Sequence, residues 1–288
     1  MNNLSQILVN GLLIGGVYAL SAIGLTLVFG VMRVINFAHG EFLMLGGYAS
    51  YYLFTLWGID PILSIPLTIL LVGPIGWLVQ KYLVARVMHS NHLNQILLTL
   101  GISIILQNAA LLLFTGDHVS APVSYGSSSV TLGPVTVGVA RLIAFGLGIG
   151  LSALLYMILT KTEVGRVLRA VAQNDVSARL MGINVEQIYL LTYVVSASLA
   201  AVSGALTSVI MYVHPLVGFQ FIVKDFAIVV LGGLGSVPGA VLGALLLGVV
   251  ESFVGTVVPN GGGWAEGISF VAIIVTLLIR PKGLFGVE

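Results

Sequence analysis

The chain alternates between long apolar segments and short connections that are polar or rich in glycine and proline. The apolar segments lie at roughly 6–30, 34–56, 61–80, 94–114, 139–160, 187–213, 222–250 and 266–280. Several of them exceed the roughly 20 residues that a helix needs to cross a lipid bilayer. The seventh contains the run GGLGSVPGA, which predicts an interruption and two short helices in place of one. The pattern therefore predicts an all-α, polytopic membrane protein with eight or nine transmembrane or re-entrant helices.

Composition supports the same class. Of the 288 residues, 58% are hydrophobic and 7% are charged, compared with about 25% charged in soluble domains. Residues 1–32, 87–116 and 187–223 contain no Asp, Glu, Lys or Arg. The first segment lacks a basic flank and is longer than the core of a signal peptide, so we expect a retained helix and not a cleaved leader. The net charge of +1 gives no support for nucleic-acid binding, and the chain has no cysteine for disulfides or thiolate metal sites.

Lysine and arginine are distributed unevenly between the connections. They are concentrated in 80–92, in 161–186 and at the C-terminus after residue 279, whereas the connection 115–138 contains neither. Cytoplasmic connections of membrane proteins carry an excess of these two residues. We therefore expect the three basic regions to face the cytoplasm and 115–138 to be extracytoplasmic.

The whole chain has 21 charged residues, 11 basic and 10 acidic. The stretch 161–186 holds seven of them. Its apolar residues Val164, Val167, Leu168 and Val171 recur at the spacing of one helical face. The polar residues lie off that face. The spacing predicts a short amphipathic helix that is too polar to cross the membrane.

A second short helix is predicted directly afterwards. We expect Asp175 to be its N-cap and Gly182 to end it. On the pattern alone, two interpretations of this helical pair are open. It rests on lipid or in solvent, or it is a docking surface for a cytoplasmic partner, because it is longer than a connection requires.

Four runs of sequence resemble a known family. They are RVINFAHGEFLMLGGYAS (33–50), GRVLRAVAQNDVSARLMGINVEQIYLLTYVVSASLAAVSGAL (165–206), VVLGGLGSVPGAVLGALLLGVVE (229–251) and RPKGLFG (280–286). In this order they are similar to the signatures of branched-chain amino-acid permeases of ATP-binding-cassette (ABC) importers. The resemblance implies a type II importer fold, with 1–288 as a single transmembrane permease domain and 161–186 as a cytoplasmic coupling-helix loop.

The resemblance also implies an activity and partners. The chain would translocate leucine, isoleucine and valine across the bacterial inner membrane as a multi-pass protein in the lipid bilayer. Its partners would be a second, related permease subunit, two ATP-binding subunits and a periplasmic amino-acid-binding protein. ATP and Mg would be used by the ATP-binding subunits, and this chain would bind no cofactor.

The resemblance further implies that the first short helix and the turn after it insert into a groove on an ATPase subunit. The residues expected to form or shape this contact are Arg166, Arg169, Ala170, Gln173, Asn174, Ala178, Gly182 and Ile183.

Polar groups inside the apolar segments are candidates for the substrate path, because a charge at the bilayer centre costs roughly 2.5–3.5 kcal/mol on insertion scales. The candidate residues are Asn36, His39, Glu41, Gly46, Gly47, Lys224, Asp225 and Glu251. The runs EFLMLGG (41–47) and DFAIVVLGG (225–233) are similar, which raises the hypothesis of an internal repeat with interrupted helices in corresponding positions.

Simpler interpretations of the same residues are open. His39 and Glu41 would cap a helix that begins near residue 40 at the membrane interface, instead of belonging to a broken helix within the membrane. Lys224 and Asp225 would form a local ion pair at the outer interface. Glu251 would end a helix at the outer face.

The sequence contains no catalytic or nucleotide-binding motif of its own. It has no G-x-x-x-x-G-K-[ST], H-E-x-x-H or G-x-S-x-G run, which predicts a transport subunit and not an enzyme. The alternative function is a secondary amino-acid transporter driven by an ion gradient, with Glu41, Asp225 or Glu251 in an ion site or proton relay. That alternative offers no reason for the polar helical pair.

Overall fold

The computed structural model describes residues 2–88, 90–259, 261–280 and 283–285. This part of the chain forms eleven α-helices and one two-stranded antiparallel sheet. Their bounds are α1 Asn2–Met32, α2 His39–Trp57, α3 Ile65–Val87, α4 His92–Phe114, β1 Ser129–Leu132, β2 Val135–Gly138, α5 Val139–Lys161, α6 Glu163–Gln173, α7 Asp175–Leu180, α8 Val185–Ile210, α9 Val217–Gly232, α10 Val237–Val257 and α11 Ala265–Ile279. The prediction of an all-α protein is confirmed apart from the small β-hairpin.

The two ends of the helical bundle are distinguished by their connections. The β1–β2 hairpin marks one end, and Gln6 near the start of α1 exchanges two hydrogen bonds of 2.8 Å with the Thr136 backbone in β2. We call this the hairpin end. Near the other end of α1, Gly30 packs against Gly235 in the turn between α9 and α10. We call this second end, where α6 and α7 also lie, the basic end.

Among the described residues, six helices are long and apolar enough to cross a membrane, namely α1, α3, α4, α5, α8 and α10. Helices α2, α9 and α11 also belong to the bundle but are shorter or less apolar. The chain begins at the hairpin end. Beyond α11, the amides of Leu284 and Phe285 donate hydrogen bonds of 2.9 and 3.0 Å to Leu231 and Gly232 at the basic end of α9. The described residues therefore contribute nine helices to the bundle, six of them long and apolar enough to span a membrane, which agrees with the predicted eight or nine transmembrane or re-entrant helices.

Helices α2 and α9 are short because each begins inside the bundle, after a segment without helical structure. Residues 33–38 turn back from the basic end, and α2 then begins with His39, whose Nε2 lies 3.0 Å from the Ser21 carbonyl oxygen in the middle of α1. Residues 211–216 turn inward from the hairpin end, where Val213 pairs with Val119 in the loop before the hairpin. His39 is 0% exposed, which supports a broken helix and not a cap at the membrane interface.

The first broken helix packs closely on α8. A β-carbon on Gly204 of α8 would overlap the carbonyl oxygen of Leu43 in α2. Small residues allow helices to approach closely where the lipid offers no hydrophobic driving force for their association. The position of α2 therefore depends on the absence of a side chain at residue 204.

Gly204→Ala is expected to destabilise the protein by roughly 1–3 kcal/mol, because the added methyl group has no room and forces α2 away from α8. The measurement is thermal unfolding of the detergent-solubilised protein. Gly146→Ala is the matched control, since Gly146 is also helical but has nothing within 4 Å of its β-carbon position. Equal unfolding temperatures for the two variants would contradict this account of the packing.

Candidate functional site

Helix α6 forms as its sequence pattern predicts. The Thr162 hydroxyl caps it by accepting a hydrogen bond of 3.2 Å from the amide of Gly165. Leu168 and Val171 are buried against the bundle, with 6% and 2% of their surface exposed. Val164, which the pattern placed on the same apolar face, remains 47% exposed. It stays exposed because it lies in the first turn, where α6 has just left the end of α5.

Helix α7 begins one residue earlier than predicted. The side chain of Asn174 accepts a hydrogen bond of 2.8 Å from the Ser177 amide, so Asn174 is the N-cap and Asp175 is the first helical residue. The prediction that Asp175 is the cap was wrong because Asn174 has the extended backbone that a cap requires, with φ −157° and ψ 104°. The acidic group of Asp175 instead lies in the first turn, where the helix dipole favours it.

The prediction that Gly182 ends α7 is confirmed. Its φ of 83° lies in the left-handed region that favours glycine. The amides of Gly182 and Ile183 donate hydrogen bonds of 3.0 and 3.1 Å to the carbonyl oxygens of Arg179 and Ala178. This arrangement is a Schellman motif, and it satisfies the last carbonyl groups of the helix.

The outer surface of α7 is unexpectedly apolar. Val176, Leu180 and Met181 are 62%, 84% and 83% exposed, whereas Ala178 is 4% exposed. Residues two apart on a helix are about 200° apart around its axis, so the burial of Ala178 turns Val176 and Leu180 outward. Leu180 and Met181 were not predicted from the sequence to form a surface. The spacing around Ala178 gives this surface only once Ala178 is known to face the bundle.

The predicted docking residues fall into three groups in the structure. Arg166, Arg169 and Gln173 are exposed, and the Arg169 guanidinium donates to the Leu159 carbonyl oxygen at the end of α5. Asn174 and Gly182 define the ends of α7. The remaining three are buried or partly buried, namely Ala170, Ala178 and Ile183.

Glu41 is the centre of one buried polar cluster. Its Oε1 accepts hydrogen bonds of 2.8 Å from Ser103 Oγ and 2.7 Å from Gln107 Nε2, both on α4. Its Oε2 faces Gly218 at the start of α9 and has no hydrogen-bond partner among the described residues. Glu41 therefore links α2 to α4 by hydrogen bonds and lies against the start of α9.

A second buried cluster is organised by Ser21 of α1. Its hydroxyl donates a hydrogen bond of 2.6 Å to Asp225 Oδ2 on α9, and its carbonyl oxygen contacts His39 on α2. The other ring nitrogen of His39 lies 3.2 Å from Ser196 Oγ on α8. Nearby, the Asn36 side chain accepts hydrogen bonds from the Ala38 amide and the Tyr193 hydroxyl. The candidates Asn36, His39 and Asp225 are thus brought together.

Lys224 and Glu251 form a third cluster. Lys224 Nζ lies 3.0 Å from Glu251 Oε2, which also accepts a hydrogen bond of 2.8 Å from the Tyr18 hydroxyl. The predicted pair of Lys224 with Asp225 was wrong, because consecutive helical side chains diverge by about 100° and contact different neighbours. The prediction that Glu251 ends a helix was also wrong, since α10 continues to Val257.

Gly46 and Gly47 have packing roles in the structure. A β-carbon on Gly46 would overlap the backbone of Ala201 in α8, and one on Gly47 would contact Val213. The corresponding glycines of the second run, at 232–233, end α9 instead of lying within it. The two runs do not occupy equivalent positions, so the hypothesis of a repeat based on them was wrong.

The described residues form a bundle of nine helices, two of them broken and surrounded by buried polar clusters, with a polar helical pair at one end. These are the features of a membrane transport subunit. A family model described as "Branched-chain amino acid transport system / permease component" matches residues 7–277. The chain belongs to this family of branched-chain amino-acid permeases.

Several curated relatives match nearly the whole chain. The permease protein BraD of the high-affinity branched-chain amino-acid transport system of Pseudomonas aeruginosa is 35% identical, over 98% of this chain and 95% of its own. LivH of Escherichia coli K12 is 32% identical over the same shares. The probable permease LivH of Methanocaldococcus jannaschii is 31% identical over 98% and 93%.

A solved structure supports the fold. A chain of "PsaBC from Streptococcus pneumoniae in complex with Fab" superposes with a TM-score of 0.51 at 15% identity, over 96% of this chain and 92% of that one. Together with the family match, this confirms the predicted resemblance. The family match and the curated relatives support the role of a permease subunit of an ABC importer and do not support the alternative of a secondary transporter.

Proposed function

We propose that this chain carries leucine, isoleucine and valine across the bacterial inner membrane, with its basic end in the cytoplasm. The names of its relatives support the substrate class. The orientation is supported by Lys81, Arg86 and the arginines of α6 and α7, which all lie towards the basic end. A periplasmic binding protein would deliver the amino acid at the hairpin end, and a second, related permease subunit would complete the membrane part.

The observation that carries this proposal is the exposed surface of the α6–α7 pair. Leu180 and Met181 are exposed on α7, directly after Arg179, and Arg166 and Arg169 are exposed on α6. Exposed apolar side chains with a polar rim are typical of protein-binding sites. An ATPase subunit with an apolar pocket and an acidic rim fits this surface. ATP and Mg would be bound by two such subunits and not by this chain.

Movement of the α6–α7 pair has a direct route into the bundle. Arg169 ties α6 to the last turn of α5, while Leu168 and Val171 pack into the main core with residues of α1 and α8. A pull on the pair by ATPase subunits would therefore displace the basic ends of these helices together.

The substrate path that we propose follows the two broken helices. Gly40 and Gly218, the second residues of α2 and α9, approach so closely that a β-carbon on Gly40 would overlap the Gly218 carbonyl oxygen. Asn36, His39 and Glu41 lie beside this junction, and Asp225 supports it through Ser21. Separation of the two helix starts would expose these polar groups to an amino acid. Lys224 and Glu251 would hold α9 and α10 in place during that movement.

The proposed function is tested by uptake into proteoliposomes that contain this chain, the second permease subunit and the ATPase subunits. We expect leucine uptake to require ATP and the binding protein and to be unaffected by an uncoupler. A variant ATPase that binds but does not hydrolyse ATP is the control and is expected to give no sustained uptake. Uptake that persists without ATP and is abolished by the uncoupler would contradict the proposal.

A further inference from the structure

A polar cavity of about 430 Å³ lies at the basic end, between the α6–α7 junction and the ends of α1, α4 and α8. This is within the roughly 300–1,000 Å³ typical of small-molecule sites. One wall is the hinge between the two short helices, including Asp175 and Val176. The opposite wall is formed by Arg33 after α1, Gln95 on α4 and Tyr189 on α8. A ligand here would contact both the docking pair and the membrane helices.

Opposite charges line this cavity without being paired to each other. Arg33 and Asp175 are both lining residues, yet neither takes part in the three ion pairs that the described residues form. Tyr189 also lines the cavity, and its hydroxyl is within electrostatic range of both Asp175 and Arg33. The two charges therefore face the same space and suit a ligand that carries both a carboxylate and an ammonium group.

The backbone at Arg33 supports a role for this side chain. Its φ of 55° lies in the left-handed region, where a residue with a side chain is strained. Strain of this kind costs roughly 1–3 kcal/mol and is concentrated at functional sites. Glycine would fit the turn after α1 without strain, so the arginine offers the turn itself no advantage.

Gln95 supplies an unused acceptor. The side chain is 4% exposed, and its Nε2 donates a hydrogen bond of 3.1 Å to the Met88 carbonyl oxygen. Its Oε1 is buried and has no hydrogen-bond partner among the described residues. A buried acceptor without a partner costs roughly 1–3 kcal/mol, which a donating ligand would recover.

We propose that this cavity binds a free aliphatic amino acid from the cytoplasm and thereby slows import. The ammonium group would donate to Asp175 and Gln95 Oε1, the carboxylate would accept from Arg33, and the side chain would pack on Val31, Met88 and Val171. Because the ligand joins the α6–α7 hinge to Gln95 on α4, which is not among the helices displaced with the pair, it favours the resting conformation over the one the ATPase subunits must produce. This inference rests on the proposed function, which supplies the orientation and the substrate class.

Binding is tested with radiolabelled leucine and the complete complex in phosphatidylcholine nanodiscs, without binding protein or ATP. We expect saturable binding that falls at least tenfold in Arg33→Gln and in Asp175→Asn. Arg86→Gln is the matched control, since Arg86 is exposed at the same end but does not line the cavity. We expect 4-methylpentanoate, which lacks the ammonium group, and leucinamide, which lacks the carboxylate, to compete at least tenfold less well than leucine.

Inhibition is tested in proteoliposomes by comparing uptake with and without leucine preloaded on the ATPase side. We expect the ratio of the two rates to fall well below one for the wild type and for Arg86→Gln, and to stay near one for Arg33→Gln. Each variant is compared with its own rate from empty vesicles, so a general loss of activity does not affect the ratio.

Three results would overturn the inference. The wild type could import leucine but neither bind nor respond to it at the basic end, in which case the proposed function stands and the inference fails. If 4-methylpentanoate competed as well as leucine, the cavity would be a binding site for simple anions and not for amino acids. Loss of leucine binding when phosphatidylethanolamine is added to the nanodiscs would reassign it to that lipid headgroup. Absence of ATP-driven uptake in the wild type would instead contradict the proposed function itself.

Discussion

Leu180→Asp combined with Met181→Asp is expected to abolish co-purification of the ATPase subunits and to reduce ATP-driven leucine uptake to background. The two side chains are 84% and 83% exposed, so they contribute little to folding of the chain. If they fill an apolar pocket on the ATPase, each aspartate has to be desolvated there without a partner. Changing a hot-spot residue of an interface typically weakens the binding free energy by about 2 kcal/mol or more. The measurement is affinity purification of the tagged chain from cells that express all subunits.

The double aspartate variant has a matched control at the opposite end of the protein. Val130→Asp places the same charge on an exposed apolar position of β1, which is 45% exposed, and it should retain the ATPase subunits. Variants such as Arg169→Glu or Gly182→Pro are less specific, because Arg169 anchors α6 and Gly182 forms the Schellman motif. Normal co-purification and uptake in the double variant would contradict the docking surface.

The α6–α7 pair shows which structural features can be predicted from local sequence. Its two helices and its end at Gly182 follow from apolar spacing and from the need for a left-handed residue, both of which are local properties. The choice between Asn174 and Asp175 as the N-cap was not predictable, since both side chains are good caps and the backbone of the preceding turn decides. The exposed surface of α7 depends on Ala178 facing the bundle, which is a tertiary contact.

The buried polar clusters show which structural features cannot be predicted from the sequence. The polar residues themselves stand out in apolar segments, so Glu41, Asp225 and Glu251 were recognised as unusual. Their partners were not predictable, because Ser103, Ser21 and Tyr18 are 62, 204 and 233 residues away along the chain. The role of the segments 33–38 and 211–216 was not predictable either, because it appears only in the folded structure, where they allow α2 and α9 to begin beside each other.

Glu251→Gln alone is expected to destabilise the protein by roughly 3–5 kcal/mol, because it leaves the ammonium group of Lys224 buried without a counter-charge. The side chains of Lys224 and Glu251 are only 12% and 9% exposed, so solvent compensates for little of this loss. Lys224→Met alone should cost a similar amount by leaving the carboxylate unpaired. Thermal unfolding of the detergent-solubilised protein measures both effects.

Combining Lys224→Met with Glu251→Gln should restore most of the stability, because no buried charge remains and the Tyr18 hydroxyl keeps an acceptor in the new amide oxygen. The expected result of the double-mutant cycle is therefore strong coupling, well above the roughly 0.5 kcal/mol scatter of independent sites. Lys161→Met, which removes an exposed lysine at the end of α5, is the control and should have little effect. Additive losses in the cycle would mean that the two charges are stabilised separately, and α9 and α10 would then lack the link that we propose holds them together during transport.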